Sequence, residues 1–296
     1  MTSRFSRLAT RAKEHVSAFQ EPRGKPSPIA LFEREKYSAA SATRGAIFFF
    51  WGHQILLILT LLFQPTSPAH ISRWQGWSQP PSEFVRYAFI AFTAGVVFLW
   101  NLGSDPGRIH SSIDSSASPV NPDGVPLRWC KDCEVWQPIR TKHCDKCGFC
   151  VRKYDHHCFW IGTCCGEHNH GRFFVLLIAI NTYVIYAAHL MLDSIFLGSL
   201  FRTPSHEAIT SFFETHWAPL LWIALAVLFE IFAGILLVYH AYLLATNQTT
   251  WETSSAARIT YLQHIKREAP FSRGLPWNVR YIIMGPREMD WVFAKN

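Results

Sequence analysis

Four stretches of this chain are too long and too apolar for an ordinary soluble fold: AIFFFWGHQILLILTLLF (46–63), FVRYAFIAFTAGVVFLWNLG (84–103), FFVLLIAINTYVIYAAHLMLDSIFLGSLF (173–201) and WAPLLWIALAVLFEIFAGILLVYHAYLLAT (217–246). About 20 apolar residues in a helix cross a hydrocarbon core, and backbone in lipid must satisfy its own hydrogen bonds, so each stretch predicts a helix. The composition agrees: 49% of residues are hydrophobic, with 23 Phe and 12 Trp among 296 positions. The first stretch starts only after 45 residues and shows no small-residue cleavage site, which reads as a retained anchor rather than a secretory leader. The predicted fold class is an α-helical integral membrane protein with four transmembrane helices.

The 28 Lys and Arg residues give the orientation. Residues 1–45 carry nine, 104–172 nine and the tail after 246 seven, whereas the loops at 64–83 and 202–216 carry one each; the last is Arg86. By the positive-inside rule both termini and the middle segment are cytosolic and the two short loops are luminal or external. The predicted organisation is a basic N-terminal tail (1–45), two membrane helices (46–103), a cytosolic linker and cysteine-rich domain (104–172), two more membrane helices (173–246) and a cytosolic C-terminal tail (247–296). The net charge of +7 is a topology signal on this reading, and no nucleic-acid partner is expected. Residues 3–19 place Phe5, Leu8, Ala12, Val16 and Phe19 at helical spacing, which leaves an interfacial helix and a disordered basic tail both open.

All eight cysteines fall between 130 and 165. They run Cys130-x2-Cys133, then His143-Cys144-x2-Cys147-x2-Cys150, then Asp155-His156-His157-Cys158, then Cys164-Cys165. A cytosolic segment is reducing, so zinc is the natural use of such spacing rather than a disulfide framework. A Cys-x2-Cys turn supplies two of the four ligands of a structural zinc, and two such turns predict two zinc ions. Eight cysteines and His143, His156, His157, His168 and His170 exceed eight ligands, so part of the block is left for other work. No internal repeat longer than the Cys-x-x-Cys unit is apparent.

The string C-x2-C-x9-HC-x2-C-x2-C-x4-DHHC-x5-C-x4-N-x3-F, read from Cys130 through Asn169 to Phe173, resembles the cysteine-rich domain of the DHHC family of protein S-acyltransferases. The resemblance extends to the four spans, to Asp105-Pro106-Gly107 after the second and to Thr249-Thr250-Trp251-Glu252 after the fourth, covering roughly residues 46–285. It implies one zinc on Cys130, Cys133, His143 and Cys150 and another on Cys144, Cys147, His157 and Cys164, a pairing that spacing alone leaves open. It leaves Asp155, His156 and Cys158 for catalysis. It also implies a palmitoyltransferase that takes a long-chain acyl group from acyl-CoA, palmitoyl-CoA being the expected co-substrate. The acyl group would pass to cysteines of membrane-associated proteins through a Cys158 thioester with ping-pong kinetics. Two departures stand near the site: Thr163 where the family commonly has Asn, and Cys165 where an aliphatic residue is usual.

The residue types suit that chemistry. A thiol near its ordinary pKa is only a few per cent thiolate at neutral pH, so a histidine base helps, and an aspartate orients the histidine. Phe159 and Trp160 fit a membrane interface or simple packing of the zinc domain. Thr249-x-x-Glu252 has the form of a capping box, to which the resemblance adds proximity of Thr249 and Thr250 to Asp155 and His156. Gly274 and Asn278 resemble a short C-terminal element of the family that packs on the membrane domain; an amphipathic tail is the plain alternative. Tyr183 lies about 15 Å into its span at 1.5 Å per residue, a place from which it would close an acyl cavity. Glu230, near the middle of the fourth span, is expected to be protonated or bonded to His53. Lys142, Lys146, Arg152, Lys153 and Arg172 are the cations nearest to the motif for the phosphates of coenzyme A. A zinc hydrolase is disfavoured because no His-Glu-x-x-His helix is present. The remaining rival is a membrane-tethered zinc module that only binds partners, in which Cys158 is dispensable. The expected location is an endomembrane, endoplasmic reticulum or Golgi, with the site facing the cytosol; the short first span weakly favours a thin bilayer.

Overall fold

A computed structural model describes residues 45, 47–48, 51–60, 63, 82–109, 127–196, 206–263 and 269–284. The expected interfacial helix at 3–19, residues 46, 49–50 and 61–62 of the first span, the linker at 110–126, nearly all of the first short loop, residues 202–205 of the second and the last residues of the tail lie outside the described residues.

Three described helices are long and apolar enough to cross a membrane. They are α1 (Ser82–Asn101), α2 (His170–Phe196) and α3 (His206–Thr246). Helical residues 51–60 of the first predicted span pack with them, since Leu57, Tyr87, Tyr183, Met191 and Trp222 share one buried cluster. Phe89, Phe92, Leu228 and Val238 on the other faces are exposed, the pattern of helices whose outer surface meets lipid. The 41 residues of α3 make about 61 Å of helix, twice a hydrocarbon core, so it begins eleven residues before the predicted span and continues beyond the apolar layer. Pro219 sits inside α3 close to that junction.

Between α1 and α2 lie three antiparallel two-stranded hairpins: β1 (Arg128–Cys130) with β2 (Val135–Gln137), β3 (Lys142–Cys144) with β4 (Phe149–Val151), and β5 (His156–Cys158) with β6 (Thr163–Cys165). The registers are equivalent: Arg128 faces Gln137, Lys142 faces Val151 and His156 faces Cys165. Each hairpin lies fourteen residues after the last, and each turn closes through a left-handed residue at the same place, Glu134, Gly148 and Gly162. The segment is therefore an internal repeat, which corrects the expectation that none exists; side-chain divergence had hidden it.

Asp105 anchors this module to α1, its Oδ1 accepting from the N–H groups of Gly107 and Arg108 at 3.0 Å each. Asn169, fully buried ahead of α2, accepts from Gly166 N and donates to Cys164 O and Ser104 Oγ. A Cβ at Gly166 would come within 2.5 Å of Pro106 O and 2.6 Å of Val151 Cγ1, so only glycine fits where the chain turns from β6 into α2. After α3, Thr249 caps α4 (Thr250–Ser255) with both halves of the predicted capping box. A 3₁₀ turn (Ala256–Arg258), α5 (Thr260–Gln263) and α6 (Leu275–Met284) follow, α6 packing against α3. Gly274 (φ +90°) precedes α6, and Asn278 donates to Ala245 O at 2.6 Å, tying the tail to the end of α3.

Candidate active site

Strand alternation sorts the block. Successive side chains on a strand point to opposite faces. His143 and Cys150 are opposite one another across β3 and β4, and His157 and Cys164 across β5 and β6. Each pair meets the two turn thiols of the preceding hairpin. Cys130, Cys133, His143 and Cys150 bring their ligand atoms within 4.8 Å of one another, and so do Cys144, Cys147, His157 and Cys164. His143 and Cys144 are adjacent on β3 and hence face different sites, which is the physical reason for the interleaving that spacing left undecided.

The donor geometry suits zinc. A tetrahedron with bonds of about 2.0–2.3 Å has edges of about 3.3–3.8 Å. The Nδ1 of His143 lies 3.6, 3.2 and 3.9 Å from the sulfurs of Cys130, Cys133 and Cys150. The Nδ1 of His157 lies 3.6, 3.2 and 3.6 Å from those of Cys144, Cys147 and Cys164.

His156 and Cys158 are two apart on β5 and share the face away from His157. Asp155 Oδ2 accepts a 2.6 Å hydrogen bond from His156 Nδ1, on the same face of β5 as the Cys158 sulfur. Thr250, 95 residues further along the chain at the start of α4, holds the same carboxylate: its N–H donates to Oδ1 at 2.8 Å and its hydroxyl to Oδ2 at 2.9 Å. Thr249, named with it from the sequence, instead accepts from Glu252 N and serves the cap. Burial opposes the charge of Asp155, but the imidazoles of His170 and His156 and the bond from His156 outweigh it and hold its carboxyl well below the usual range. Burial alone would lower His156; its bonds to Asp155 and Cys158 raise it to about 10. Cys158 is 4% exposed, packed with Phe98, Ile161, Phe173, Leu176 and Leu177, an apolar surround at the end of the membrane helices. Phe159 and Trp160 beside it are exposed. Cys165 is fully buried in the same cluster.

Other predicted positions resolve differently. Tyr183 is buried among the helices, its hydroxyl 3.4 Å from that of Tyr87 and 3.3 Å from His53 Nδ1. The expected bond between His53 and Glu230 is replaced by this one, and Glu230 Oε2 has no hydrogen-bond partner among the described residues. Lys153 is buried with its ammonium 4.0 Å over the Tyr281 ring, Arg152 pairs with Glu167 at 2.8 Å, Lys142 lies 3.9 Å over Trp251 and Arg172 lies over Trp100.

Sequence reasoning missed Arg140. This buried guanidinium donates to both oxygens of Glu252, at 2.7 and 2.8 Å, and to the carbonyl of Asn247 at 2.9 Å. The pair joins the cysteine-rich module to the start of α4, which places Thr250 on Asp155. It counted His170 only among the surplus histidines of the cysteine block and missed His240; both are buried beside Asp155. A chemical reading of His240, a lone histidine in an apolar span seven residues before Asn247, offered the only available signal.

Apolar helices carrying a module with two metal-type clusters, and a thiol lined up with an imidazole and a carboxylate, define a membrane protein equipped for thiol-based group transfer. The comparisons give the family. A model described as DHHC palmitoyltransferase matches residues 125–257. The chain is 32% identical over 252 residues to Palmitoyltransferase ZDHHC12 of Homo sapiens, covering 81% of this chain and 86% of that protein. It is 31% identical to the Mus musculus protein of the same name over 251 residues, covering 81% and 86%. With Protein S-acyltransferase 10 of Arabidopsis thaliana it shares 37% identity over 172 residues, covering 57% of this chain and 47% of that protein. The chain belongs to the DHHC palmitoyltransferase family.

Proposed function

We propose that the protein is a protein S-acyltransferase that moves a long-chain acyl group, palmitoyl by expectation, from acyl-CoA to cysteines of membrane-associated proteins. The line Asp155–His156–Cys158 carries this reading. His156 takes the Cys158 proton, held for that task by Asp155, which Thr250 fixes in turn. The Cys158 sulfur attacks the acyl carbonyl; the carbon–sulfur bond to coenzyme A breaks, and the coenzyme leaves as its thiol with the proton from His156. In the second half the substrate thiol gives its proton to His156, attacks the Cys158 thioester, and Cys158 leaves as a thiol. No net oxidation occurs and the enzyme is restored. The apolar cluster around Cys158 favours an acyl chain over water during the interval. Zinc, when bound by the two Cys3His sets, would supply structure by pinning the first hairpin to the second and the second to the third, which carries β5.

The remaining assignments belong to the same reading: four membrane helices, the cysteine-rich module and both termini on the cytosolic side, an endoplasmic reticulum or Golgi membrane, and Tyr183 at the far end of the acyl site. The test is incubation of the purified, detergent-solubilised protein with labelled palmitoyl-CoA. Hydroxylamine-labile label on wild type that disappears in Cys158→Ser, with zinc content unchanged, is expected. Equal labelling of both proteins would assign the label to Cys165 or another thiol and overturn the role of Cys158, and no label on a folded zinc-loaded wild type would move the binding-module alternative ahead.

A further inference from the structure

Behind the proposed catalytic line lies a second pair of imidazoles that it does not use. His170 opens α2 and His240 sits in the last two turns of α3, and both are nearly inaccessible, at 3% and 2% exposed. His170 Nε2 is 3.2 Å from His240 Nδ1 and 3.9 Å from Asp155 Oδ1, the carboxylate oxygen that His156 does not engage. His170 Nδ1 is buried with no hydrogen-bond partner among the described residues. A neutral imidazole carries one N–H, and a buried unpaired donor is costlier than a buried bare lone pair. The proton therefore belongs on Nε2 and is donated to His240 Nδ1, with Asp155 Oδ1 lying 3.9 Å from the same nitrogen. The His240 ring lies 5.8 Å from that of His156 and 5.1 Å from that of Phe173, while Phe173 lies 5.3 Å from His156.

Resting on the reading above, we propose that His170 and His240 are positioning residues for acyl transfer: their mutual hydrogen bond fixes the His170 imidazole against the Oδ1 edge of Asp155, the carboxylate that holds His156. The arrangement also lets two membrane helices report directly on the catalytic line, because the pair joins the cytosolic-side end of α2 to that of α3. The same three residues, Asp155, His170 and His240, also have ligand atoms within 4.8 Å of one another, so a third metal is the competing use of this cluster.

The two uses separate by the position of the nitrogen. A Gln side chain carries its amide near the place of an imidazole Nε2, and an Asn side chain carries its polar atoms near that of Nδ1. His170→Gln and His240→Asn therefore preserve the bond, while His170→Asn and His240→Gln move it. The full-length enzyme is assayed for Cys158 loading from labelled palmitoyl-CoA, with kcat and KM separated, zinc per chain measured, and thermal unfolding recorded. We expect kcat to fall by about ten- to a hundredfold in His170→Asn and His240→Gln, the scale of a misplaced catalytic group, with KM and two zinc ions retained. His170→Gln and His240→Asn should stay near wild type. This opposite order of Asn and Gln at the two positions is not what loss of packing alone produces. Equal effects of Asn and Gln at both sites, a loss carried wholly by KM, or a third zinc in wild type that all four variants lose would overturn the proposal. A wild type that never loads label removes the acyltransferase reading along with it, whereas loading that all four variants leave unchanged removes this inference alone.

Discussion

The buried Arg140–Glu252 pair gives the most quantitative handle on how the cysteine-rich module is held to the membrane helices. The side chains are 3% and 4% exposed, and two short bonds join them in a fork. Burial disfavours the charge on Arg140, and Glu252 restores it. Glu252 also accepts from Thr249 N at 3.0 Å and Tyr261 OH at 3.1 Å, while Arg140 lies 4.1 Å over the Phe271 ring. Removing one partner leaves the other as an uncompensated buried charge, at a cost of about 3–5 kcal/mol. For a cooperative unit of this size each kcal/mol moves Tm by about 2–4 °C, so Glu252→Gln or Arg140→Met should lower Tm by about 6–20 °C. The double variant Arg140→Met with Glu252→Leu removes both charges and should recover much of that loss. Unfolding followed by a thiol-reactive fluorophore in detergent reads all three proteins. Single variants within 2 °C of wild type, or a double variant that sums the two losses, would refute the reasoning. Because Glu252 is the third residue of α4, the single variants should also lose acyl loading through displacement of Thr250.

Further outcomes follow from the same geometry. Thr250→Val deletes the hydroxyl on Asp155 and keeps its N–H; loss of one hydrogen bond to a charged group, about 1.5–3 kcal/mol, should slow Cys158 loading by about ten- to 150-fold without zinc loss, as single-turnover labelling would show. Gly166→Ala has no room beside Pro106 O and Val151 and should fail to give folded, zinc-loaded protein on size-exclusion chromatography. Exhaustive chelation should release two zinc ions per chain and abolish loading while the helical circular dichroism of the membrane segments persists.

The sequence made the membrane helices and the ligand types readable, because hydropathy and thiol spacing are local signals. It did not make the polar network readable. Arg140 and Glu252 are 112 residues apart, and neither has a neighbour in sequence that announces the other. His170 and His240 are 70 apart, and only His170 lies within the histidine-rich block that the spacing marks out. Of the two states open to Glu230, protonated or bonded to His53, the second does not form, because packing puts Tyr183 against His53 instead. The fourteen-residue repeat was present in the numbering throughout, as Cys130/Cys144, Cys133/Cys147, His143/His157 and Cys150/Cys164, but only the common hairpin register makes its meaning visible.

That repeat accounts for the free thiol. In a run of such hairpins, each metal site takes the two turn thiols of one hairpin and the cross-strand His–Cys pair of the next. The first hairpin has Trp129 opposite Trp136 at the cross-strand position, rings 5.1 Å apart, and so contributes turn thiols only. The second contributes both kinds of ligand. The third contributes His157 and Cys164, and its own turn positions are Cys158 and Ile161. Cys158 is thus the counterpart of Cys130 and Cys144, a ligand position in a hairpin with no successor to complete a third site. Ile161, fully buried where the second turn thiol would stand, turns that position into apolar packing against Phe173 and Leu176. Asp155 and His156 correspond in the preceding hairpin to Thr141 and Lys142. Three changes on a metal-binding repeat, a carboxylate, an imidazole and an isoleucine, separate a ligand thiol from one placed to carry an acyl chain.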